Sequence, residues 1–185
     1  MTRIATIIGK GPSAARATEW IASGPSTDLC TINEAALILP PTWPVRFAFF
    51  CHARYAESLR PLWERVETFV APSVLVGDDQ SLPADFPRHK LLRYIGNACG
   101  ASRAELLERI NLGQPAHHHS CTAAASFLAK LGYRRLRLIG FGGDGYAPGF
   151  AGQPTNMGDD WRAVEDTLAG LLAELYGCET ERFGE

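Results

Sequence analysis

The sequence lacks an excess of basic residues and a long apolar run. Its 18 Lys and Arg residues are outnumbered by 20 Asp and Glu residues, which gives a formal net charge of −2. Broad nucleic-acid binding requires a basic surface that releases counterions, so a nucleic-acid partner is not expected. No apolar run is long enough to cross a bilayer, and the N-terminus does not resemble a signal peptide. We therefore expect a cytoplasmic protein with no membrane span.

Paired cysteines are missing as well. The five cysteines are scattered, odd in number and without a Cys-x-x-Cys pair; they are Cys30, Cys51, Cys99, Cys121 and Cys178. This pattern indicates neither a disulfide framework nor a zinc ribbon, and we expect small, buried hydrophobic side chains. No repeat or linker divides the 185 residues, so the sequence predicts one domain over residues 1–185.

The first strand and the turn after it are the most informative stretch. Residues 4–8 form a short apolar run rich in β-branched side chains, typical of a strand buried on both faces. Gly9, Lys10, Gly11, Pro12 and Ser13 follow at once. We expect a tight turn, a helix start capped by Ser13, and outward N–H groups that attract a phosphate. The third glycine of a dinucleotide fingerprint and the Gly-Lys-Ser/Thr of a Walker loop are absent, so a purely structural turn is the alternative.

Further strands alternate with helical segments along the chain. This alternation predicts an α/β fold, a Rossmann-like three-layer sandwich with a mostly parallel central sheet. We expect one long helix over residues 53–67, kinked or restarted at Pro61, and a helix with a capping box from Ser102. The expected strands after the first cover residues 28–32, 46–51, 68–71, 74–76, 90–95, 135–140 and 179–185.

Polar residues follow two of these strands. Asn33 lies just past the carboxyl end of the second strand, where open α/β sheets bind ligands, and its amide could contact a base or a ribose. Its alternative role is the N-cap of a helix over residues 35–39. His52 ends the third strand and could contact phosphate or transfer a proton, or be an ordinary edge residue.

Three consecutive histidines, residues 117–119, precede Ser120. Adjacent histidines do not share a helix face, so they do not form a preformed zinc cage, and no metal ligand is assigned. One of them could act as a general acid or contact phosphate; the alternative is a surface turn. The candidate catalytic residues are therefore His52, His118 and His119.

A second glycine-rich turn follows the predicted strand over residues 135–140. Ser120 opens a helix of small residues that leads to this strand, and Asp144 and Tyr146 lie in the turn. Asp144 could bind a ribose hydroxyl or a phosphate-held metal, and Tyr146 could contact phosphate. Alternatively, the Asp-Gly pair is only a favourable turn.

Three stretches of the sequence resemble the motifs of a known group of proteins, and they occur in the same order. They are residues 7–13, residues 32–35, and residues 120–132 leading into residues 138–144. The order resembles a Rossmann-like group that includes the bacterial sialyltransferases of glycosyltransferase family forty-two and the MptE-like pterin diphosphokinase domains. The resemblance implies a nucleotide cradle formed by Gly9, Gly11, Pro12, Ser13, Asn33, Ser120, Gly140 and Asp144. Lys10 and Tyr146 are added as phosphate contacts.

The chain also departs from that group. Lys10 replaces the usual Asn, and an ammonium meets phosphate as a point charge instead of through paired amide contacts. Gly142 and Gly143 lengthen the second turn. Little sequence follows that turn to supply a lid and a downstream catalytic histidine, so the family's catalytic histidine is transferred to no residue.

These observations predict a domain that binds a nucleotide or nucleotide sugar, as a sialyltransferase-like glycosyltransferase with a CMP-type donor. One alternative is an MptE-like diphosphokinase, for which Mg²⁺ would be the cofactor and Asp144 its ligand. Another is a non-catalytic nucleotide-binding or assembly module. The expected partner is a small molecule, and a homo-oligomer is compatible with the sequence.

Overall fold

A computed structural model describes residues 2–75, 81–94, 102–114, 120–141, 147, 148, 150 and 160–183. Within these residues, seven strands form one sheet in which every pairing is parallel. The strands are β1 (Ile4–Ile8), β2 (Asp28–Ile32), β3 (Val45–Phe49), β4 (Val66–Pro72), β5 (Leu91–Tyr94), β6 (Arg135–Ile139) and β7 (Glu179–Phe183). Their spatial order is β5-β4-β3-β2-β1-β6-β7.

Helices cover both faces of the sheet. The α-helices are α1 (Ala17–Ala22), α2 (Ala53–Ser58), α3 (Arg103–Asn111), α4 (Ser120–Lys130) and α5 (Asp160–Tyr176). Two apolar cores result, one under α3, α4 and α5 and the other under α1 and α2. The predicted α/β Rossmann-like sandwich is confirmed, and its sheet is wholly parallel. None of the helices in the described part of the chain combines the length and the apolar composition that a membrane span requires.

The first strand lies in the interior of the sheet, between β2 and β6, because it can be buried on both faces. Ile7 pairs with Cys30 of β2 on one side and with Leu138 of β6 on the other. Ala5, Ile7 and Ile8 have no exposed surface. The apolar run therefore has the position that its composition predicts.

Several predicted boundaries are confirmed and others are corrected. The capping box at Ser102 and the edge strand β7 are present. The long helix over residues 53–67 is wrong, because α2 ends at Ser58 and only a short 3-10 helix, Arg60–Leu62, continues around Pro61. Val66 instead begins β4 and pairs with Val45. Val74 and Leu75 are not in a strand.

The chain order determines where a ligand site can form. From β1 the chain runs outward through β2, β3 and β4 to β5, and then returns to place β6 on the other side of β1. The direction of winding therefore changes between β1 and β6. In parallel α/β sheets this switch point is a crevice at the carboxyl ends of the strands, here called the carboxyl edge.

Candidate functional site

The turn after β1 packs directly against the end of β6. The backbone N–H of Gly9 donates to the carbonyl of Ile139 at 2.7 Å, and that of Gly11 donates to the carbonyl of Gly140 at 2.8 Å. Gly140 has a φ of 78°, in the region that favours glycine. A Cβ on Gly9 would lie 2.5 Å from the Gly140 oxygen, so both positions require glycine for close backbone approach.

This packing corrects two expectations for residues 9–13. The Gly9 and Gly11 amides are not free to face a phosphate, because the hydrogen bonding of β1 with β6 continues past Ile8. Ser13 does not cap a helix; its hydroxyl accepts from the Gly140 N–H at 2.9 Å. Gly11 is the N-cap of a 3-10 helix (Pro12–Arg16) that precedes α1. The contribution of these residues to ligand binding remains a prediction.

Asn33 has an unusual conformation at the carboxyl end of β2. Its φ is 53°, the only positive φ among the described non-glycine residues. It does not cap the following 3-10 helix (Asn33–Ile38), whose N-cap is Ile32, so the capping alternative is wrong. Its Oδ1 atom is buried and has no hydrogen-bond partner among the described residues. Backbone strain and an unsatisfied buried polar atom both occur preferentially at functional sites.

Lys10, in the turn after β1, places a positive charge at the carboxyl edge. Its Nζ donates to Oε2 of Glu34 at 2.8 Å, and the two side chains are 9% and 22% exposed. The same ammonium lies 5.3 Å from the ring centroid of Tyr55 and 5.8 Å from that of Phe150. Both distances suit cation–π interaction. Among the described residues, the lysine is therefore flanked by two aromatic rings and paired with the Glu34 carboxylate.

The end of β3 contributes His52 and Cys51. His52 is the N-cap residue of α2 without a side-chain capping bond, and its ring lies 5.7 Å from the Tyr55 ring in an edge-to-face arrangement. The Ser120 hydroxyl, at the start of α4, donates to Sγ of Cys51 at 3.6 Å. Burial raises the pKa of the Cys51 thiol, and the bond from Ser120 only partly opposes this, so the thiol is protonated at neutral pH.

The structure thus brings most of the described candidates to one edge. The residues that follow β1, β2, β3 and β6 converge there, together with the first residue of α4. Four candidates lie outside the described residues: His118, His119, Asp144 and Tyr146. Within the part of the chain that is described, no group of three or more His, Cys, Asp or Glu residues could hold a metal ion.

Four residues of this edge were not identified from the sequence as site candidates. Glu34 and Cys51 directly adjoin the candidates Asn33 and His52 at strand ends, and that adjacency was the available signal. Arg54 and Tyr55 begin α2, where helical periodicity favoured a purely structural role for Tyr55. Only the fold shows that the Tyr55 ring lies beside Lys10.

These features define a class of fold, a parallel Rossmann-like sheet with a polar cluster at its switch point. No protein-family profile and no curated protein matches the sequence. Solved structures do match its fold. One is the sialyltransferase CstII from Campylobacter jejuni in complex with the substrate analogue CMP-3FNeuAc, with 15% identity and a TM-score of 0.53 over 98% of this chain and 81% of that one.

Two further sialyltransferases have a similar fold. The monofunctional α-2,3-sialyltransferase Cst-I from Campylobacter jejuni has 14% identity and a TM-score of 0.58, over 100% of this chain and 76% of that one. A mammalian sialyltransferase has 15% identity and a TM-score of 0.52, over 97% of this chain and 69% of that one. At these identities the likeness establishes the shared fold.

Proposed function

We propose that this protein binds a nucleotide or nucleotide sugar at the carboxyl edge and acts as a sialyltransferase-like glycosyltransferase with a CMP-type donor. The observation that carries the proposal is Asn33. Its strained backbone and its buried Oδ1, which has no hydrogen-bond partner among the described residues, lie one strand away from the β1–β6 switch point. An amide oxygen accepts hydrogen bonds, so the exocyclic amine of a base or a ribose hydroxyl would satisfy it.

Lys10 is the proposed phosphate contact. Its ammonium is close to the switch point and is held by Glu34 and two aromatic rings. A bound phosphate would compete with Glu34 for this ammonium. Because the Gly9 and Gly11 amides bond to β6, the charge of Lys10 takes the role first expected of the turn backbone.

In the proposed reaction, an acceptor hydroxyl attacks the anomeric carbon of the donor sugar. The bond from that carbon to the phosphate oxygen breaks, and the nucleoside monophosphate leaves with the additional negative charge. Lys10 stabilises this charge, and the hydroxyl proton passes to a general base. His52 is the described candidate for the base; His118 and His119 are the other two.

The fold neighbours support this choice. The structure of CstII with CMP-3FNeuAc, and a second one in complex with CMP and a trisaccharide acceptor, describe such ligands on a similar fold. The diphosphokinase alternative gains no support from these comparisons. Mg²⁺ is therefore no part of the proposed mechanism, and a chelator arm in the assays tests that choice.

The decisive experiment is a thermal-shift panel with CMP, CDP, UDP, GDP and ATP, each with Mg²⁺ or with EDTA. We expect CMP to raise the melting temperature in both conditions, and Lys10→Ala and Asn33→Ala to remove the shift. Arg60→Ala is a charge control outside the site, because Arg60 is exposed and paired with Glu57 and Asp85. A wild-type protein that none of the nucleotides stabilises would contradict the proposal.

Turnover separates an enzyme from a binding module. Release of CMP from a CMP-linked sugar in the presence of EDTA would support glycosyl transfer. Stabilisation by CMP without any consumption of donor, across a panel of acceptors, would instead identify a non-catalytic nucleotide-binding module. Strict dependence on ATP and Mg²⁺ would favour the diphosphokinase.

A further inference from the structure

Tyr55 organises a set of cationic and aromatic side chains at the rim of the carboxyl edge. Its hydroxyl accepts from Nη2 of Arg54 at 3.1 Å, and the Cζ atom of Arg54 lies 4.9 Å from its ring centroid. The Lys10 ammonium and the His52 ring contact the same tyrosine ring. One largely buried tyrosine therefore holds two cations and a histidine beside the proposed ligand site.

The two cations differ in how they are neutralised. Lys10 is bonded to Glu34 at 2.8 Å. Arg54 is exposed, and among the described residues no carboxylate lies within ion-pair distance of its guanidinium. Its one side-chain hydrogen bond there goes to the Tyr55 hydroxyl. A guanidinium has five N–H donors, so most of its hydrogen-bonding capacity is directed to solvent.

Arg60, six residues further on, differs from Arg54 in its partners. It is also exposed, but it is bonded to Glu57 and also contacts Asp85. Holding a flexible arginine side chain in one conformation usually costs side-chain entropy. Arg54 is held by a ring and a hydroxyl; Glu34 attracts its charge from a distance, but no carboxylate of the described residues pairs with it directly, and this preorganises it for an external anion.

We propose that Arg54, positioned by Tyr55, recognises an oxyanion of the bound ligand and thereby selects acidic ligands. This inference rests on the proposed nucleotide-binding function and adds a specificity residue to it. Phosphate and carboxylate share the geometry that a guanidinium fork recognises, so the oxyanion is either the nucleotide phosphate or a carboxylate on the donor sugar.

The test is calorimetric titration of wild type, Arg54→Ala, Arg54→Lys, Tyr55→Phe and Arg60→Ala. The ligands are cytidine, which has no oxyanion, CMP, which has the phosphate, and CMP-3FNeuAc, which has phosphate and carboxylate. We expect Arg54→Ala to weaken binding of at least one acidic ligand about tenfold and to leave cytidine unchanged. Arg54→Lys should restore part of the loss, since it keeps the charge without the fork.

The pattern of losses identifies the oxyanion. An equal loss for CMP and CMP-3FNeuAc assigns Arg54 to the phosphate, and a loss for CMP-3FNeuAc alone assigns it to the carboxylate. Tyr55→Phe should give a smaller loss of the same pattern, because it removes the hydroxyl that holds Arg54. If Arg54→Ala changes affinity no more than Arg60→Ala does, the inference is wrong.

A second arm separates this inference from the proposed function. If wild type binds none of the cytidine ligands, the CMP-type donor is wrong. The same variants are then titrated with inorganic pyrophosphate and with N-acetylneuraminate. Binding of either anion that Arg54→Ala removes and Arg60→Ala retains would sustain the role of Arg54, whereas no Arg54-dependent binding of these anions would overturn it.

Discussion

The Nζ of Lys10 and the Oε2 of Glu34 lie 2.8 Å apart and join the turn after β1 to the residues after β2. The pair is largely shielded from solvent, so its attraction is screened less than that of a surface pair. In the proposed function this carboxylate competes with the ligand phosphate for Lys10. The strength of the ion pair therefore affects both the stability of the ligand-free site and the free-energy cost of binding the phosphate.

Replacing this carboxylate should change stability and affinity in opposite directions. Glu34→Gln removes the carboxylate that pairs with Lys10 in the described part of the chain, and we expect the free energy of unfolding to fall by about 1–3 kcal/mol. The same change raises the net charge of the edge by one unit, so CMP should bind more tightly. Urea denaturation and calorimetry measure the two effects. Glu57→Gln, at an exposed pair, is the control, and unchanged CMP affinity in Glu34→Gln would argue against a phosphate at Lys10.

Two substitutions at Asn33 should separate the effect of its backbone conformation from that of its side chain. A glycine accepts a φ of 53° without strain, whereas alanine does not, so Asn33→Gly should be more stable than Asn33→Ala by about 1 kcal/mol. Both variants lose the side-chain amide and should lose CMP binding. Thermal melts and titrations of the pair test this. Full CMP affinity in either variant would show that the buried Oδ1 does not contact the ligand.

The contact between Gly9 and Gly140 should tolerate no side chain. Gly9→Ala places a Cβ 2.5 Å from a backbone oxygen, and we expect a loss of about 3 kcal/mol in the free energy of unfolding. Gly170→Ala is the control, because Gly170 lies in α5 and a Cβ added there would have no other atom within 4 Å. That substitution should raise stability by about 0.5–1 kcal/mol. Equal stabilities of the two variants would contradict the close packing of β1 against β6.

Stability should fall at high pH because of Tyr133, which precedes β6 and lies at the amino ends of the strands, opposite the carboxyl edge. Burial and the hydrogen bond to Asp28 raise the pKa of Tyr133 to about 12, and Arg46 and Arg3 only partly oppose this. An unfolded tyrosine titrates near pH 10. The protonated form is therefore favoured by folding, so this contribution is complete below about pH 10 and is lost as the pH rises towards 12.

The measurement is denaturant unfolding at several pH values between 9 and 12. Wild type should lose stability more steeply than Tyr133→Phe, which has no phenol to titrate. The variant also isolates Tyr133 from the other groups that ionise in this range. Parallel pH profiles for the two proteins would mean that the Tyr133–Asp28 bond does not persist in solution.

The sequence by itself determined the class of fold and the edge where the polar residues meet. Apolar β-branched runs separated by helical segments form parallel strands, and parallel strands place all their carboxyl ends on one side. For that reason residues 9–13, Asn33 and His52 could be assigned to one region from their position after strands. Pro61 indicated a break, but the sequence did not show that Val66 would pair with Val45.

Only the tertiary structure determined which partners the polar groups of the site have. The strand order places β6 beside β1, so the Gly9 and Gly11 amides bond to β6 instead of facing a ligand. The same fold brings Glu34 and Tyr55 to Lys10, although Tyr55 is far from it in sequence. Local propensity acts over a few residues, whereas these contacts depend on which strands become neighbours. Long-range pairing therefore determined the partners of each polar group.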